Sequence, residues 1–392
     1  CPCPLDDFLL FLLLPAAREL LITTHMSLLG SSSSSMCRSR ISAASSRSTS
    51  RSQPRSSSAR RPMVKTRAQT LPTISSVIIT GAGGKTGKAV FAKCVQDAEL
   101  ERVVGVVRTE KSKKMVASFA PDAKDEDVVV ASIVDGTSVK DVINEGKFDA
   151  LICCTSATPR IMKRSIVKLL VTKVLNFIPG VNMKPAMPTF RWPENGTPEE
   201  VDWEGQKAQF DAAVESGVKL VVVCSSMGGT QDDNRLNAIG EGNILKWKRA
   251  AERYLIELCK GTNGKTNFTI VHPGGLKGNC KDLEAEGGKV QLTVGVDDTL
   301  LENEYRSIPR ADVAEVLFHS LKTSEALNRS FDVASLPEGE GVPFDGDLGT
   351  LLCDGLPKQS VKGGTCDYTL GEVFPPSTSG VEEEEEAEAK TA

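Results

Sequence analysis

Clustered metal ligands are missing from this chain. Its three histidines (His25, His272 and His319) lie far apart, and none of its eleven cysteines forms a Cys-x-x-Cys pair. No Cys/His group has zinc spacing, so no metal site is expected. The sequence also contains no GxxxxGK[ST], the loop pattern that cradles a nucleoside triphosphate. The apolar run Phe8–Leu14 falls far short of the roughly 20 residues a bilayer span needs. As the core of a secretory signal it is poorly flanked, because Asp6 and Asp7 stand where such a signal carries positive charge. An excess of positive charge is lacking too. Lys and Arg number 47 against 51 Asp and Glu, a net charge of −4, so no global field draws the chain to nucleic acid.

One absence is local. Residues 26–70 hold no Asp or Glu, yet carry Arg38, Arg40, Arg47, Arg51, Arg55, Arg60, Arg61, Lys65 and Arg67 among many serines. That is the composition of an organelle transit peptide; a basic tail that binds an anionic partner is the other reading. Composition alone does not separate chloroplast from mitochondrion. The sequence starts at Cys1, and Met26 reads as the start of this segment, so residues 1–70 are assigned to targeting or disorder. At the far end, Glu382–Glu386 and Glu388 form a like-charge run that stays solvated. With the Gly- and Pro-rich stretch from Pro337, it predicts a flexible tail over 340–392. Cys153, Cys154 and Cys224 sit in apolar runs and read as core thiols of a reducing compartment. Cys353 and Cys366, in the tail, are the pair read as capable of redox switching.

What is present is an alternation. Val77–Thr80, Val103–Val107, Val128–Val130, Ala150–Cys154, Leu220–Cys224 and Phe268–Val271 are short, continuous apolar runs, as strands buried on both faces require. Helical segments separate most of them. The pattern predicts an α/β fold with a doubly wound parallel sheet, a Rossmann fold, over residues 72–339, with an insertion at 158–200.

Directly after the first strand stands Gly81-Ala82-Gly83-Gly84-Lys85-Thr86-Gly87. Glycines in a GxxGxxG pattern permit a tight turn, let the backbone approach a pyrophosphate, and let the helix pack close to the sheet. The helix start then offers free N–H groups and a partial positive charge to the phosphates. The strand–turn–helix context makes this a dinucleotide site. The second strand ends Val107-Arg108-Thr109, followed by Lys111, Lys113 and Lys114, with Glu110 the nearby acid. An acid there would hold an unphosphorylated ribose; an arginine suits a 2′-phosphate, so NADP(H) is expected over NAD(H).

The stretches TGAGGKTGK, TSATP, VDWEGQKAQFDAAVESGVK, VVVCSSMGGT, GNILKWKRAAERYL and IPRADVAEVLFHSL, in that order between Ser75 and Gly339, resemble the plant and algal atypical short-chain dehydrogenase/reductases. These are NAD(P)-binding proteins of the NmrA-like branch, related to the dehydrogenase subunit of the chloroplast import machinery. The resemblance implies a chloroplast protein. It implies cofactor contacts by Ile133 near the third strand's end, by Thr155, Ser156 and Ala157 after the fourth strand, and by Pro273 and Gly274 after the sixth. Ser226 would stand beside the nicotinamide and Lys248 would hold the nicotinamide ribose; these two are the candidate catalytic residues. Arg310 and Asp312 would open a late helix. The sequence departs from the family at Ile244, where active short-chain reductases carry the proton-donating tyrosine four residues before the lysine. Ser132 replaces an acid often found at the third strand's end. Tyr254, further along the Lys248 helix, could serve as a displaced acid, though a core or surface tyrosine is the commoner reading.

The insertion contributes Arg160, Lys163, Arg164, Lys168 and Lys173 within residues 160–178 and no acid, with Ile161, Val167, Leu170, Val171, Val174, Leu175 and Ile178 forming an apolar stripe at helical spacing. Such a helix either lies on an anionic membrane surface or packs on the domain as a substrate lid. Its exit from the sheet's carboxyl edge favours the lid. The whole reading is an NADP(H)-binding oxidoreductase on an unknown small molecule, with a non-catalytic NADP(H)-dependent redox sensor or scaffold as the alternative and RNA binding as a weaker third.

Overall fold

Strand β1 (Ser76–Thr80) places Val77 and Ile79 in one apolar cluster and Ile78 in another, on the opposite face of the sheet. The same alternation holds in β4 (Ala150–Cys153) and β7 (Leu220–Cys224). Successive side chains of a strand point to opposite faces, so a strand covered on both sides must be apolar at every position. That is why these segments read as unbroken apolar runs. The protein was studied as a computed structural model, which describes residues 70–356 apart from 136, 177–181 and 185–186. The targeting segment up to residue 69, the Phe8–Leu14 run, Cys366 and the acidic run lie outside the described residues.

The other strands are β2 (Arg102–Val107), β3 (Val128–Val130), the short β5 (Arg160–Ile161) and β6 (Phe190–Arg191), then β8 (Asn267–Pro273), β9 (Gly275–Lys277), β10 (Leu292–Gly295), β11 (Ser307–Pro309) and β12 (Arg329–Ser335). The main sheet runs β3-β2-β1-β4-β7-β8-β12-β11-β9, with β10 on β12. From β3 through β12 the pairings are parallel, while β10 and β11 meet β12 antiparallel. The strand order reverses between β1 and β4, and a crevice opens there at the carboxyl ends, where ligands bind in this architecture.

The longer helices are α1 (Lys85–Gln96), α2 (Glu110–Phe119), α3 (Thr137–Gly146), α4 (Lys163–Leu175), α5 (Gly205–Glu215), α6 (Ile244–Gly261), α7 (Arg310–His319) and α8 (Leu348–Gly355). Helices α1 and α7 pack together over one face, with Ala89, Val90, Val313 and Leu317 in the first cluster. Helices α3, α5 and α6 cover the other, through Ile143, Phe210 and Leu255. The result is the doubly wound α/β fold the alternation predicted.

Two features depart from the sequence reading. Strand β12 is absent from the predicted strands because its sequence, RSFDVAS, mixes Arg329, Asp332 and two serines with its apolar residues, although every position is buried. Second, the fold continues past residue 339. Asp347 caps α8 by accepting from the Thr350 N–H (2.9 Å), and Leu348, Leu352 and Leu356 complete the first apolar cluster. A Gly- and Pro-rich approach disguises this short helix, whose leucines find their core only in three dimensions.

Candidate functional site

Gly81 has a left-handed φ of +74°, and a Cβ there would stand 2.6 Å from the Cys154 carbonyl oxygen. A Cβ on Gly87 would stand 2.2 Å from the Gly81 oxygen. A side chain at either position would push β1, the turn and α1 apart. Glycine at these positions therefore brings a helix start, with its free N–H groups, against the crevice. Gly84 caps α1 without any side-chain hydrogen bond, leaving those donors open.

The crevice forms a cleft of about 390 Å³, lined by Gly81, Gly83 and Gly84, by Arg108 after β2, by Ile133 and Val134 after β3, and by Cys154–Thr158 after β4. Ser112 on α2, Arg160, Pro193 and Gly196 of the insertion, and Val201 just after it close its other walls. A smaller cavity of about 300 Å³ shares Arg108, Val134, Arg160 and Pro193 and adds Ser132, Glu194 and Asn195. Of the sequence-predicted residues, Gly81, Gly83, Gly84, Arg108, Ile133, Thr155, Ser156 and Ala157 thus meet in one cleft. Lys85 and Thr86 sit on the first turn of α1 outside that lining, with the Lys85 ammonium donating to Asn279 Oδ1 at 2.6 Å. Gly87 is buried beneath the turn. Lys113, one of the cations following Arg108, is taken by Asp125 at 2.9 Å.

Lys248 and Ser226 lie apart from the cleft lining. Lys248 is buried on α6, its ammonium 2.7 Å from Asp202 Oδ1. Burial alone would lower its pKa, but the Asp202 charge outweighs this and raises it. Asp202 Oδ2 in turn accepts the Ala157 N–H at 2.9 Å. The lysine expected at the ribose is therefore linked to the cofactor loop through a carboxylate that sequence reading did not single out. Asp202 lies on a π-helical turn, Glu199–Glu204, a local widening common at functional sites. An ammonium has three N–H donors, so one partner does not exhaust it. The Ser226 hydroxyl donates to the Met227 carbonyl at 3.0 Å. The Pro273 carbonyl accepts the Met227 N–H, and the Gly274 N–H is held by the Val333 carbonyl.

Beneath this end of the sheet lies a buried charge network absent from the sequence reading. Arg249 Nη1 donates to Glu252 and meets the His272 ring, and Ser225 donates to Glu252. His272 Nε2 lies 3.1 Å from Glu252 Oε2. Burial and the neighbouring Arg249 hold the His272 pKa below its ordinary value. Asp298 accepts the N–H groups of Gly228 (2.6 Å) and Thr230 (2.8 Å), fixing the loop after β7. Asp332 accepts the Asp298 N–H at 2.8 Å; burial and the nearby Asp298 push its pKa up to about 7.

Ile244 opens α6. Tyr254 donates to Asp211 and meets Trp203 edge to face, with centroids 5.9 Å apart. Burial and Asp211 push its pKa up to about 12. It belongs to a packing contact, not to the cleft. Asp312, in the first turn of α7, accepts the Gly288 N–H at 2.7 Å, and Arg310 donates to the Gly278 carbonyl; both bind neighbouring loops to the helix start. Cys154 and Cys224 stand at the carboxyl ends of the neighbouring strands β4 and β7 as reduced thiols, and Cys353 is exposed.

Comparison with known proteins agrees with the fold. A family model described as NAD(P)H-binding matches residues 81–324. An uncharacterised chloroplastic protein of Arabidopsis thaliana is 40% identical over 269 residues, covering 68% of this chain and 72% of that protein. The sanguinarine reductase of Eschscholzia californica is 36% identical over 268 residues, covering 68% of this chain and 91% of the reductase. Among solved structures, a putative NAD-dependent epimerase/dehydratase from Bacillus halodurans aligns with a TM-score of 0.47 at 18% identity, over 71% of this chain and 99% of that one. The chain belongs to the NAD(P)H-binding family, among its atypical short-chain dehydrogenase/reductases.

Proposed function

We propose that this protein is an NADP(H)-dependent oxidoreductase acting on a small molecule. The observation that carries the cofactor choice is the convergence of Arg108 and Arg160, from separate elements, on one cleft beside the glycine turn. Glu194, on the smaller cavity, is the one acid in either lining. An arginine offers a planar fork of donors matched to phosphate, and each charge-assisted bond contributes about 1.5–3 kcal/mol. Arg160 adds a second such group from the insertion. Gly81, Gly83, Gly84 and the α1 start would hold the pyrophosphate, and Thr155–Ala157 the adjoining ribose. The bound cofactor would supply hydride. Asp202 would keep Lys248 charged and keep the Thr155–Ala157 loop in register with it.

The residues also constrain the substrate. Ile244 has no proton to give, and Tyr254 is committed to Asp211. The reaction that fits is hydride delivery to an electron-poor, conjugated acceptor whose protonation is left to water or to the substrate itself. The 36% identity to an enzyme named as a reductase supports turnover over a purely sensory role. The transit-like composition of residues 26–70 and the chloroplastic relative support a chloroplast address.

Calorimetric titration with NADPH and NADH tests the cofactor choice, and NADPH consumption across a panel of conjugated acceptors tests the chemistry. Preference for NADPH with turnover is the expected result. Equal affinity for the two cofactors would remove the arginine argument. Tight NADPH binding with no turnover on any acceptor would favour the sensor reading instead.

A further inference from the structure

Helix α4 carries its polarity the wrong way round. Ser165, Leu169 and Thr172, spaced i, i+4, i+7, are its buried residues, and the two hydroxyls donate to backbone carbonyls of Met162, Lys168 and Leu169. Val167, Leu170, Val171 and Val174, spaced i, i+3, i+4, i+7, face outward and are 49–65% exposed. A helix packed as a lid would bury that second set. Beside this face Met162 and Met183 are also exposed, and Met183 is tied to the helix end by two hydrogen bonds with Asn176 (2.8 and 2.9 Å).

The charge around the face has one sign. From Ala150 to Pro193 the sequence holds Arg160, Lys163, Arg164, Lys168, Lys173, Lys184 and Arg191 and no Asp or Glu, in a chain whose net charge is −4. Lys163, Arg164 and Lys168 are exposed. Long cationic side chains flanking an apolar face can lay their stems along it and keep the charge at a polar boundary. The helix start adds a second argument. Its cap, Met162, makes no side-chain hydrogen bond, its first turn has no acid, and Lys163 and Arg164 stand at the positive end of the helix dipole. That arrangement disfavours the isolated helix and is relieved by anions placed against it.

We propose that α4 is a membrane-docking helix, which lies on an anionic lipid surface with Val167, Leu170, Val171 and Val174 inserted among the acyl chains and its cations on the headgroups. This is peripheral attachment; among the described residues no helix is long and apolar enough to cross a bilayer. Because Arg160 and Pro193, which flank α4 before and after it in the chain, line the nucleotide cleft, docking would set the cleft's mouth close to the membrane. An apolar substrate dissolved there could then reach the site without crossing water.

The test is vesicle co-sedimentation of the full chain, with phosphatidylcholine vesicles made with and without phosphatidylglycerol. The double variant Leu170→Glu/Val174→Glu is compared with the native protein. Both positions are exposed and outside the cleft, so the fold and NADPH affinity should be retained. The variant also keeps the basic segment before residue 70, so the comparison isolates the helix face. Expected are binding to the phosphatidylglycerol vesicles, weakened by salt, and at least a tenfold loss in the variant. Failure of the native protein to sediment with those vesicles would overturn the proposal. So would equal binding by the variant, or self-association in vesicle-free buffer that the variant abolishes, which would make a second copy the occupant of the face.

Discussion

The two ends of the sheet's carboxyl edge use charge in opposite ways. At the β1–β2–β3 end, Arg108 and Arg160 are exposed and line an open cleft. At the β7–β8–β12 end, Arg249 and Glu252 are buried and paired with each other, with His272 and Asp332 buried beside them. A charge held toward solvent can recognise a ligand. A charge taken from water must find its partners within the protein, since isolating it costs several kcal/mol. The first end is thus built for binding, and the second for holding a loop still. The comparison also separates neighbours on one helix: Lys248 is linked through Asp202 to the Thr155–Ala157 loop, while Arg249 pairs with Glu252 and reaches the Ser226 carbonyl at 3.5 Å.

If the buried end is structural, breaking it should unfold the protein before it affects recognition. Glu252→Ala leaves the Arg249 charge buried with its main partner removed, and is expected to cost about 3–5 kcal/mol in denaturant unfolding. The fraction still folded should bind NADPH with unchanged affinity; a large affinity loss would contradict the division. The next effect concerns pH. The folded-state pKa of Asp332 is about 7 against an ordinary 3.8, so the folded protein binds the extra proton between those values. Stability from this group is therefore full below pH about 4 and falls as pH rises toward 7, by a few kcal/mol at most. Asp332→Asn should remove that decline, seen as a flatter unfolding free energy against pH over this window. An unchanged slope would mean that Asp332 is charged throughout.

The binding end should fail in the opposite manner. Gly81→Ala, with its positive φ and a Cβ 2.6 Å from backbone, should lower affinity for both NADPH and NADH by at least a hundredfold in calorimetry, together with some loss of stability. Arg108→Ala should lower NADPH affinity about ten- to a hundredfold and leave NADH nearly unchanged. Arg160→Ala should act in the same direction and more weakly, as it comes from the insertion. Equal losses for both cofactors would show that the arginines shape the cleft without reading the phosphate. The smallest effect is expected at Tyr254→Phe, which removes one hydrogen bond to Asp211: about 0.5–1.5 kcal/mol of stability and no change in NADPH consumption. A collapse of turnover there would restore Tyr254 as a proton donor.

The strands with unbroken apolar runs and the glycine turn were legible in the sequence because each follows from short-range necessity. A strand buried on both faces has to be apolar throughout. A turn with positive φ and a backbone contact requires glycine. These rules act within a few residues, so a linear reading reaches them.

Asp202, Arg160, β12 and the outward face of α4 were not legible in that sense, since each depends on partners distant in the chain. Asp202 acquires its role by standing between Ala157 and Lys248, and Arg160 by folding back beside Arg108 across the cleft. In β12, Asp332 accepts the Asp298 N–H and Ser335 donates to the Ser307 carbonyl, partners that stand 34 and 28 residues away in the chain. For α4, the sequence determined that the helix would have an apolar stripe. Only the tertiary structure decided that the stripe faces outward, because the direction a helix face points is set by what packs against its other side.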